Sequence, residues 1–295
     1  MRPIALIVCF LFFGAISKAQ PTVQNLLALK VVEKLSSKEM EGRRSGTQGN
    51  AKARKFLIHE FEKLEYRVET DTFYFERKNE EIMGVNISVT HEGNQENDQA
   101  IVVTAHYDHL GKMNNEIYFG ADDNASGTGA LVALASFLRE NPTKHNIEII
   151  ALDAEEMGLR GAFHYVNEKH SPKEEILLNI NMDMISQSEK KELYACGTYH
   201  YPFLKPIADN TADAFTGMTL KFGHDVPGTG GQDWSQSSDH FPFHQKEIPF
   251  IYFGVEDHPY YHKPDDTFDK IHLEFYFEVV NFITAFLVDV DKKLD

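Results

Sequence analysis

Cysteine is almost missing from this sequence, with only Cys9 and Cys196 in 295 residues. A framework of disulfides, the usual reinforcement of small exported domains, is therefore excluded. Basic residues are in deficit as well: 29 Lys and Arg stand against 45 Asp and Glu, a formal net charge of −16. Nucleic-acid binding needs basic patches to neutralise phosphate, and none is visible. An anionic membrane surface is disfavoured on the same ground. Beyond Ile16 no uncharged apolar run approaches the ~18 residues of a membrane helix. Internal repeats and linkers rich in Pro, Gly or Ser are lacking too, which points to one domain. No G-x-S-x-G segment occurs, so Ser126 in NASG is not read as the nucleophile of a serine hydrolase.

The first twenty residues, MRPIALIVCFLFFGAISKAQ, carry Arg2, an apolar stretch from Ile4 to Ile16, and Ser17-Lys18-Ala19. A charged start, a short apolar middle and a small-residue cleavage site make a secretory signal peptide over 1–19. The sequence thus predicts a leader, one domain over 20–295, and export to the periplasm or the cell exterior, with no membrane anchor. Loss of Arg2 and Lys18, with no acid, takes the net charge from −16 to −18. Cys9 leaves with the leader, and Cys196, in the apolar run LYACG, reads as a buried structural thiol. Such a chain must stand on its core, and on metal ions if it binds them.

Apolar residues at helical spacing predict helices over 22–36 and 49–65, joined by the polar loop KEMEGRRSGTQ. RVETDTFYFER and MGVNISVTHE alternate as strands. From there short buried strands take turns with helices. AIVVTAHYD, NIEIIALDAEE, ILLNINMDMIS and IPFIYFGVE read as strands. ASGTGALVALASFLRE, GLRGAFHYVNEK, PFLKPIADNTADAF and HLEFYFEVVNFITAFLVDVDKK read as helices. This alternation predicts an α/β fold, a mixed and largely parallel sheet covered on both faces by helices. DVPGTGGQDW (225–234) reads as a long surface loop.

In such folds ligands bind beyond the carboxyl ends of the strands. The polar residues that fall there are His106 and Asp108 after the first buried strand, Asp122 and Asp123 ahead of a helix, Glu155-Glu156, Asp183, and His262 in EDHPYYHKPDD. Each alone has an ordinary structural explanation: a hydrogen-bonded histidine, a helix cap, an acidic first turn. Together on one sheet edge they do not. Carboxylates gathered there repel unless cations neutralise them, and histidines with carboxylates but no paired cysteines suit catalytic zinc.

The segments AHYDHLG (105–111), GADDNASG (120–127), EEMGLRGA (155–162), NMDM (181–184), SSDHFPF (237–243) and YYHKPDDT (260–267) resemble, in order and spacing, the co-catalytic dizinc aminopeptidases of the MH clan of zinc exopeptidases. The resemblance runs from about Ser36 to the C-terminus and implies a three-layer αβα sandwich holding two Zn2+ ions. It implies that Asp123, rather than adjacent Asp122, bridges the ions, that His106 and Asp183 complete one ion's protein ligands, and that Glu156 and His262 complete the other's. Glu155 would be the general base, and Asp108 would accept the free ring N–H of His106. Tyr261 would steady the oxyanion, with Tyr260 competing for that place. His109, His240 and His244 are left as surface histidines or histidines that back the ligands from behind.

Peptides are the implied substrates. A glutaminyl cyclase shares this fold with a single zinc, but its pattern places a tryptophan before the last histidine and an insertion after the Glu-Glu pair. Here Tyr261 precedes His262, and Glu155-Glu156 runs directly into MGLRGA. A carboxypeptidase or dipeptidase would use the same chemistry. A non-catalytic domain that has lost its metals is opposed by the intact ligand set. Only sixteen residues separate His106 from Asp123, too few for an additional domain over the site. Specificity is expected from loops 109–121 and 223–236.

Overall fold

A computed structural model describes residues 21–95, 99–169 and 176–294; the leader expected over 1–19 lies outside the described residues. Helix α1 (Val23–Leu35) opens on Thr22, whose hydroxyl accepts from the Asn25 N–H while the Asn25 side chain accepts from the Thr22 N–H. Both free donors at that end are thereby satisfied. After a strap over 36–47 comes α2 (Gln48–Lys63), capped by Thr47. Strands β1 (Glu69–Arg77) and β2 (Glu80–His91) form a hairpin whose two turn residues, Lys78 and Asn79, both have positive φ, as a tight two-residue turn requires. Then follow β3 (Ala100–His106), the small hairpin β4 (Gly111–Met113) and β5 (Glu116–Tyr118), α3 (Gly127–Leu138), β6 (Asn146–Leu152), α4 (Arg160–His164), β7 (Ile176–Met182), β8 (Glu192–Cys196), α5 (Leu204–Ala212), β9 (Thr219–Phe222), α6 (His240–Gln245), β10 (Phe250–Gly254) and α7 (Leu273–Lys293).

The main sheet runs β1-β2-β6-β3-β7-β10-β8-β9. Its middle pairs, β6 with β3, β3 with β7 and β7 with β10, are parallel. Antiparallel joins lie at β1–β2, β2–β6 and β10–β8, and β8–β9 is parallel again. Every residue of β3 is buried because successive side chains enter different cores. Ile101, Val103 and Ala105 meet residues of α1, α2, α3 and α7, whereas Val102 joins Ile150, Leu152, Ala162 of α4 and Phe243 of α6. Helices therefore cover both faces, and the architecture is the three-layer αβα sandwich expected. Helix α7 alone buries Phe275, Phe282 and Phe286, each worth roughly 1.5–3 kcal/mol relative to exposure.

Three features depart from the pattern read in the sequence. Strands β4, β5, β8 and β9 and helix α6 were not expected, being too short to show a period. Helix α3 begins only at Gly127, and Ala121–Ser126 forms a wide irregular turn in which Asp123 and Asn124 have non-helical backbone angles. Helix α4 ends at His164 and continues as a π-type turn, Tyr165–Lys169. Among the described residues no helix is long and apolar enough to cross a membrane. The parallel strands β3, β6, β7 and β10 all release the chain at one edge, and the polar segments meet there.

Candidate metal centre

Strand β3 ends on His106, which is fully buried. Its Nδ1 lies 3.2 Å from the main-chain oxygen of Asp108. A carbonyl can only accept, so Nδ1 carries a hydrogen and Nε2 is the ring atom turned toward the cluster. That Nε2 faces Asp183 Oδ1 at 3.3 Å, Asp123 Oδ1 at 3.5 Å and Glu155 Oε2 at 4.0 Å. The Asp108 carboxylate, expected to receive the ring N–H, is 3.6 Å from Nδ1, outside hydrogen-bonding range. It accepts instead from the Glu155 N–H at 3.1 Å and from Ser45 Oγ at 3.2 Å. The carbonyl of Asp108 thus sets the His106 ring, and its carboxylate holds the backbone of Glu155.

A second cluster lies against the other oxygen of Asp123. His262 Nε2 is 3.1 Å from Asp123 Oδ2 and 3.5 Å from Glu156 Oε2. The remaining Glu156 oxygen, Oε1, faces Nδ1 of His109 at 2.9 Å, and that ring is also 3.7 Å from Asp123 Oδ2. His109 is fully buried and belongs to this cluster, not to the surface. Ligand atoms of His106, Glu155 and Asp183 lie within 4.8 Å of one another, as do those of His109, Asp123 and Glu156.

The aim of Asp123 is fixed from behind. The N–H groups of Asp122 and Asp123 both donate to the Asp266 carboxylate, at 3.0 and 3.1 Å. Asp122 Oδ1 accepts from the N–H and the hydroxyl of Ser186, and its Oδ2 is 3.1 Å from His258 Nε2. Asp122 is therefore occupied elsewhere, and only Asp123 presents its carboxylate to both clusters. The Asp123–Asn124 peptide is cis, and Asn124 donates to Met182 O while accepting from the Gly127 N–H. Arg43, wholly buried in the strap, donates to the carbonyls of Tyr107, Gly120 and Asp123 at 2.8, 2.6 and 3.1 Å. A polar loop gave no sign of this.

Charge is crowded here. Burial pushes Glu155 well above the usual carboxylate range and Glu156 up to about 7, against the pull of His106. Asp123 is raised by burial and then by Glu156. Burial opposes charge on His106, but Asp183 and Glu155 outweigh it and lift its pKa well above the ordinary value. Asp183 goes the other way, because His106 outweighs the effect of burial. Buried carboxylates this close are relieved only by protons or cations, and an oxygen-rich set with imidazole nitrogens fits zinc.

Tyr261 lines the same cleft, stacked on the His262 ring at 3.9 Å. Burial and then Asp123 raise its phenol pKa, so it stays a donor. Tyr260 sits instead beside Lys270, whose ammonium is 5.2 Å from its ring centre. The cleft is a cavity of about 410 Å³ that also holds Glu155, Glu156, Asp183, Trp234 and Asp257. Loop 223–236 contributes Gly231, Trp234 and the cleft's flank, but loop 109–121 contributes nothing to the lining. Its hairpin packs on the strap, where a Cβ at Gly42 would meet Gly111 O at 2.5 Å. Asp239 is a further group the sequence did not single out. It is buried with both oxygens lacking a hydrogen-bond partner among the described residues, and burial lifts it to about 8.

An αβα sandwich with carboxylate and histidine clusters at the carboxyl edge of its parallel strands is the build of a metallohydrolase. The chain belongs to peptidase family M28, whose model matches residues 86–287. It is similar to aminopeptidase YwaD of Bacillus subtilis, 32% identical over 207 residues that cover 65% of this chain and 41% of that protein. It spans about half the length of the curated relatives it matches, 41%, 48% and 49% for three of them. Among solved structures, BSAP, a zinc aminopeptidase from Bacillus subtilis, superposes with a TM-score of 0.74 at 18% identity, covering 92% of this chain and 96% of that one. Porphyromonas gingivalis glutaminyl cyclase gives 0.75 at 18% identity, over 92% and 98%. Likenesses this distant in sequence speak for the fold.

Proposed function

We propose that the chain is an exported aminopeptidase that removes N-terminal residues from peptides and works with two zinc ions. One ion would be held by His106 and Asp183, the other by Glu156 and His262, with Asp123 shared. The observation that carries this reading is Asp123, which turns Oδ1 toward His106 at 3.5 Å and Oδ2 toward His262 at 3.1 Å. When bound, zinc supplies a Lewis acid for the scissile carbonyl and a water acidified toward neutrality. Glu155 is the proton carrier: its carboxyl, raised by burial and like-charged neighbours, takes the proton of the attacking water and returns it to the leaving amine. The Asp108 carboxylate keeps Glu155 in place through its backbone N–H. The phenol of Tyr261 donates to the developing oxyanion. No covalent intermediate is needed.

A glutaminyl cyclase needs only one metal site, whereas two groups of side chains, His106–Glu155–Asp183 and His109–Asp123–Glu156, each bring three ligand atoms within 4.8 Å of one another here. Tyr261 in front of His262 and the uninterrupted run after Glu156 support hydrolysis as well. Export rests on the N-terminal charge and apolar pattern. The test joins zinc stoichiometry to a panel of aminoacyl and glutaminyl substrates. About two zincs with peptide-bond cleavage supports the reading, and one zinc with cyclisation of N-terminal glutamine replaces it. Glu155→Gln is expected to keep its zinc and lose at least ~100-fold in turnover; unchanged turnover would remove Glu155 from its role.

A further inference from the structure

We propose that Asp153 is a positioning residue for Glu155: its carboxylate fixes the turn from which the proton carrier is presented, without touching substrate or metal. The inference rests on the aminopeptidase reading and deepens it. Asp153 directly follows β6 and is wholly buried, yet it neither lines the cleft nor belongs to either cluster. A buried carboxylate is costly unless it is hydrogen-bonded, and five donors surround this one. Oδ1 accepts from Ser45 Oγ at 2.7 Å, from Asn50 Nδ2 at 2.9 Å and from the Ala154 N–H at 2.9 Å. Oδ2 accepts from the Val85 N–H at 2.9 Å and lies 3.0 Å from the Tyr107 hydroxyl.

Strands β2 and β6 pair as far as Ile87 with Ala151, and the next step of that register would bring Val85 opposite Asp153. There the Asp153 side chain takes the Val85 N–H in place of a strand partner, and the chain turns away from the sheet. Ala154 has a φ of 62°, a left-handed conformation that a residue with a Cβ keeps only where its surroundings hold it. Every main-chain polar group from Asp153 to Glu155 is hydrogen-bonded. The three carbonyls accept from the N–H groups of Gly161, Arg160 and Gly158, around the start of α4. The three N–H groups depend wholly on side chains: Asp153 donates to Asn86 Oδ1 at 3.1 Å, Ala154 to Asp153 Oδ1 at 2.9 Å, and Glu155 to Asp108 Oδ1 at 3.1 Å. Ser45 joins the last two acceptors, because its hydroxyl also lies 3.2 Å from Asp108 Oδ2. The N–H groups leading into Glu155 are therefore held by two carboxylates linked through one serine. A misplacement of ~1 Å in a catalytic group can cost ~100-fold in rate, so a loosened turn is expected to show in the chemical step.

Asp153→Asn keeps the size of the side chain but leaves one oxygen to serve donors that two now serve, and Ser45→Ala removes the link to Asp108. On the zinc-loaded chain, with a panel of aminoacyl p-nitroanilides, each substitution is expected to lower kcat by ~10-fold or more, with KM within about 2-fold and zinc content unchanged. The same two substitutions are then made in Glu155→Gln. Residual turnover there no longer passes through that carboxylate, so each should cost less than about 2-fold more, whereas a purely structural contribution would cost as much as before. Fully additive losses, an unchanged kcat in both single variants, or a loss that shows in KM or zinc content instead of kcat each overturn the proposal and leave the aminopeptidase reading standing. If Asp153→Asn does not fold, Ser45→Ala decides by the same measurements. An unaltered chain that binds zinc and cleaves none of the panel removes the aminopeptidase reading and this inference together.

Discussion

Nη2 of the buried Arg43 donates to the main-chain oxygen of Asp123 at 3.1 Å, so the residue that faces both clusters is held by a strap ~80 positions earlier in the chain. The same guanidinium also reaches the carbonyls of Leu35, Tyr107, Phe119 and Gly120. It ties the end of α1 to the segments that carry His106 and Asp123. Burial lowers its pKa to about 10, with Asp123, Asp266, Asp108 and Glu156 pulling the other way, so the group remains cationic at neutral pH beneath the acidic cleft.

Replacement of Arg43 by lysine keeps the charge but not the planar fan of donors. Buried carbonyls left without a donor cost about 1–3 kcal/mol each. Arg43→Lys is therefore expected to lose roughly 2–4 kcal/mol in chemical denaturation, and Arg43→Met more, since it also leaves the acids without their buried cation. A change in Arg43→Lys below ~0.5 kcal/mol, the range of ordinary surface substitutions, would show that the fan is not what holds the strap.

The position of His109 gives a second prediction. Its Nδ1 lies 2.9 Å from Glu156 Oε1, while Glu156 Oε2 faces His262. Burial lowers the His109 pKa to about 3, so the ring is neutral and acts on Glu156 by position. Groups that steady a metal ligand from behind are worth ~10–100-fold in metal affinity. His109→Leu is expected to weaken zinc binding by that amount in competition with a chelator. Asparagine can place an amide nitrogen close to where Nδ1 stands, and His109→Asn should recover most of the loss. Equal affinity in wild type and His109→Leu would take His109 out of the centre.

These two residues also mark the limit of what the sequence reveals. His106, Asp183 and the Glu155-Glu156 pair are legible because each follows a short apolar strand, and parallel strands gather their carboxyl ends. The topology is legible for the same reason. Arg43 and Ser45 lie in KEMEGRRSGTQ, whose composition is that of a solvated loop; their burial comes from packing against residues more than sixty positions away, as in the Arg43–Tyr107 hydrogen bond. His109 looks like one more polar residue after a strand, and its place in the cluster shows only when the folded chain brings Glu156 to 2.9 Å and Asp123 to 3.7 Å from its ring. Loop 109–121 is close in length to 223–236, yet it folds down as a hairpin and leaves Trp234 of the second loop to line the cleft.

The acids and histidines around the cleft predict how stability depends on pH and zinc. Burial lifts Asp239 to about 8 and both Glu156 and Asp266 to about 7, whereas unfolded carboxylates ionise near ~4. His106, His258 and His262 are raised too, because nearby carboxylates outweigh burial. Between about pH 6.5 and 8 the folded chain without metal therefore holds more protons than the unfolded chain, and its stability falls as pH rises. His109 and His240, each lowered by burial to about 3, are neutral in both states across that window. They contribute only below ~6.5, where they lose stability as pH falls. Zinc takes the place of the protons on the ligands, so its stabilising effect grows with pH. Thermal melts in chelator at about pH 6.5 and 8 should show a falling Tm, and the gain from added zinc should be larger at the higher pH. Asp239→Asn, which removes a carboxyl lifted above neutrality, should flatten part of the fall. A chelated chain whose Tm rises over that interval would mean that these carboxyls are not held protonated by the fold, and that the pressure toward cations in the cleft has another source.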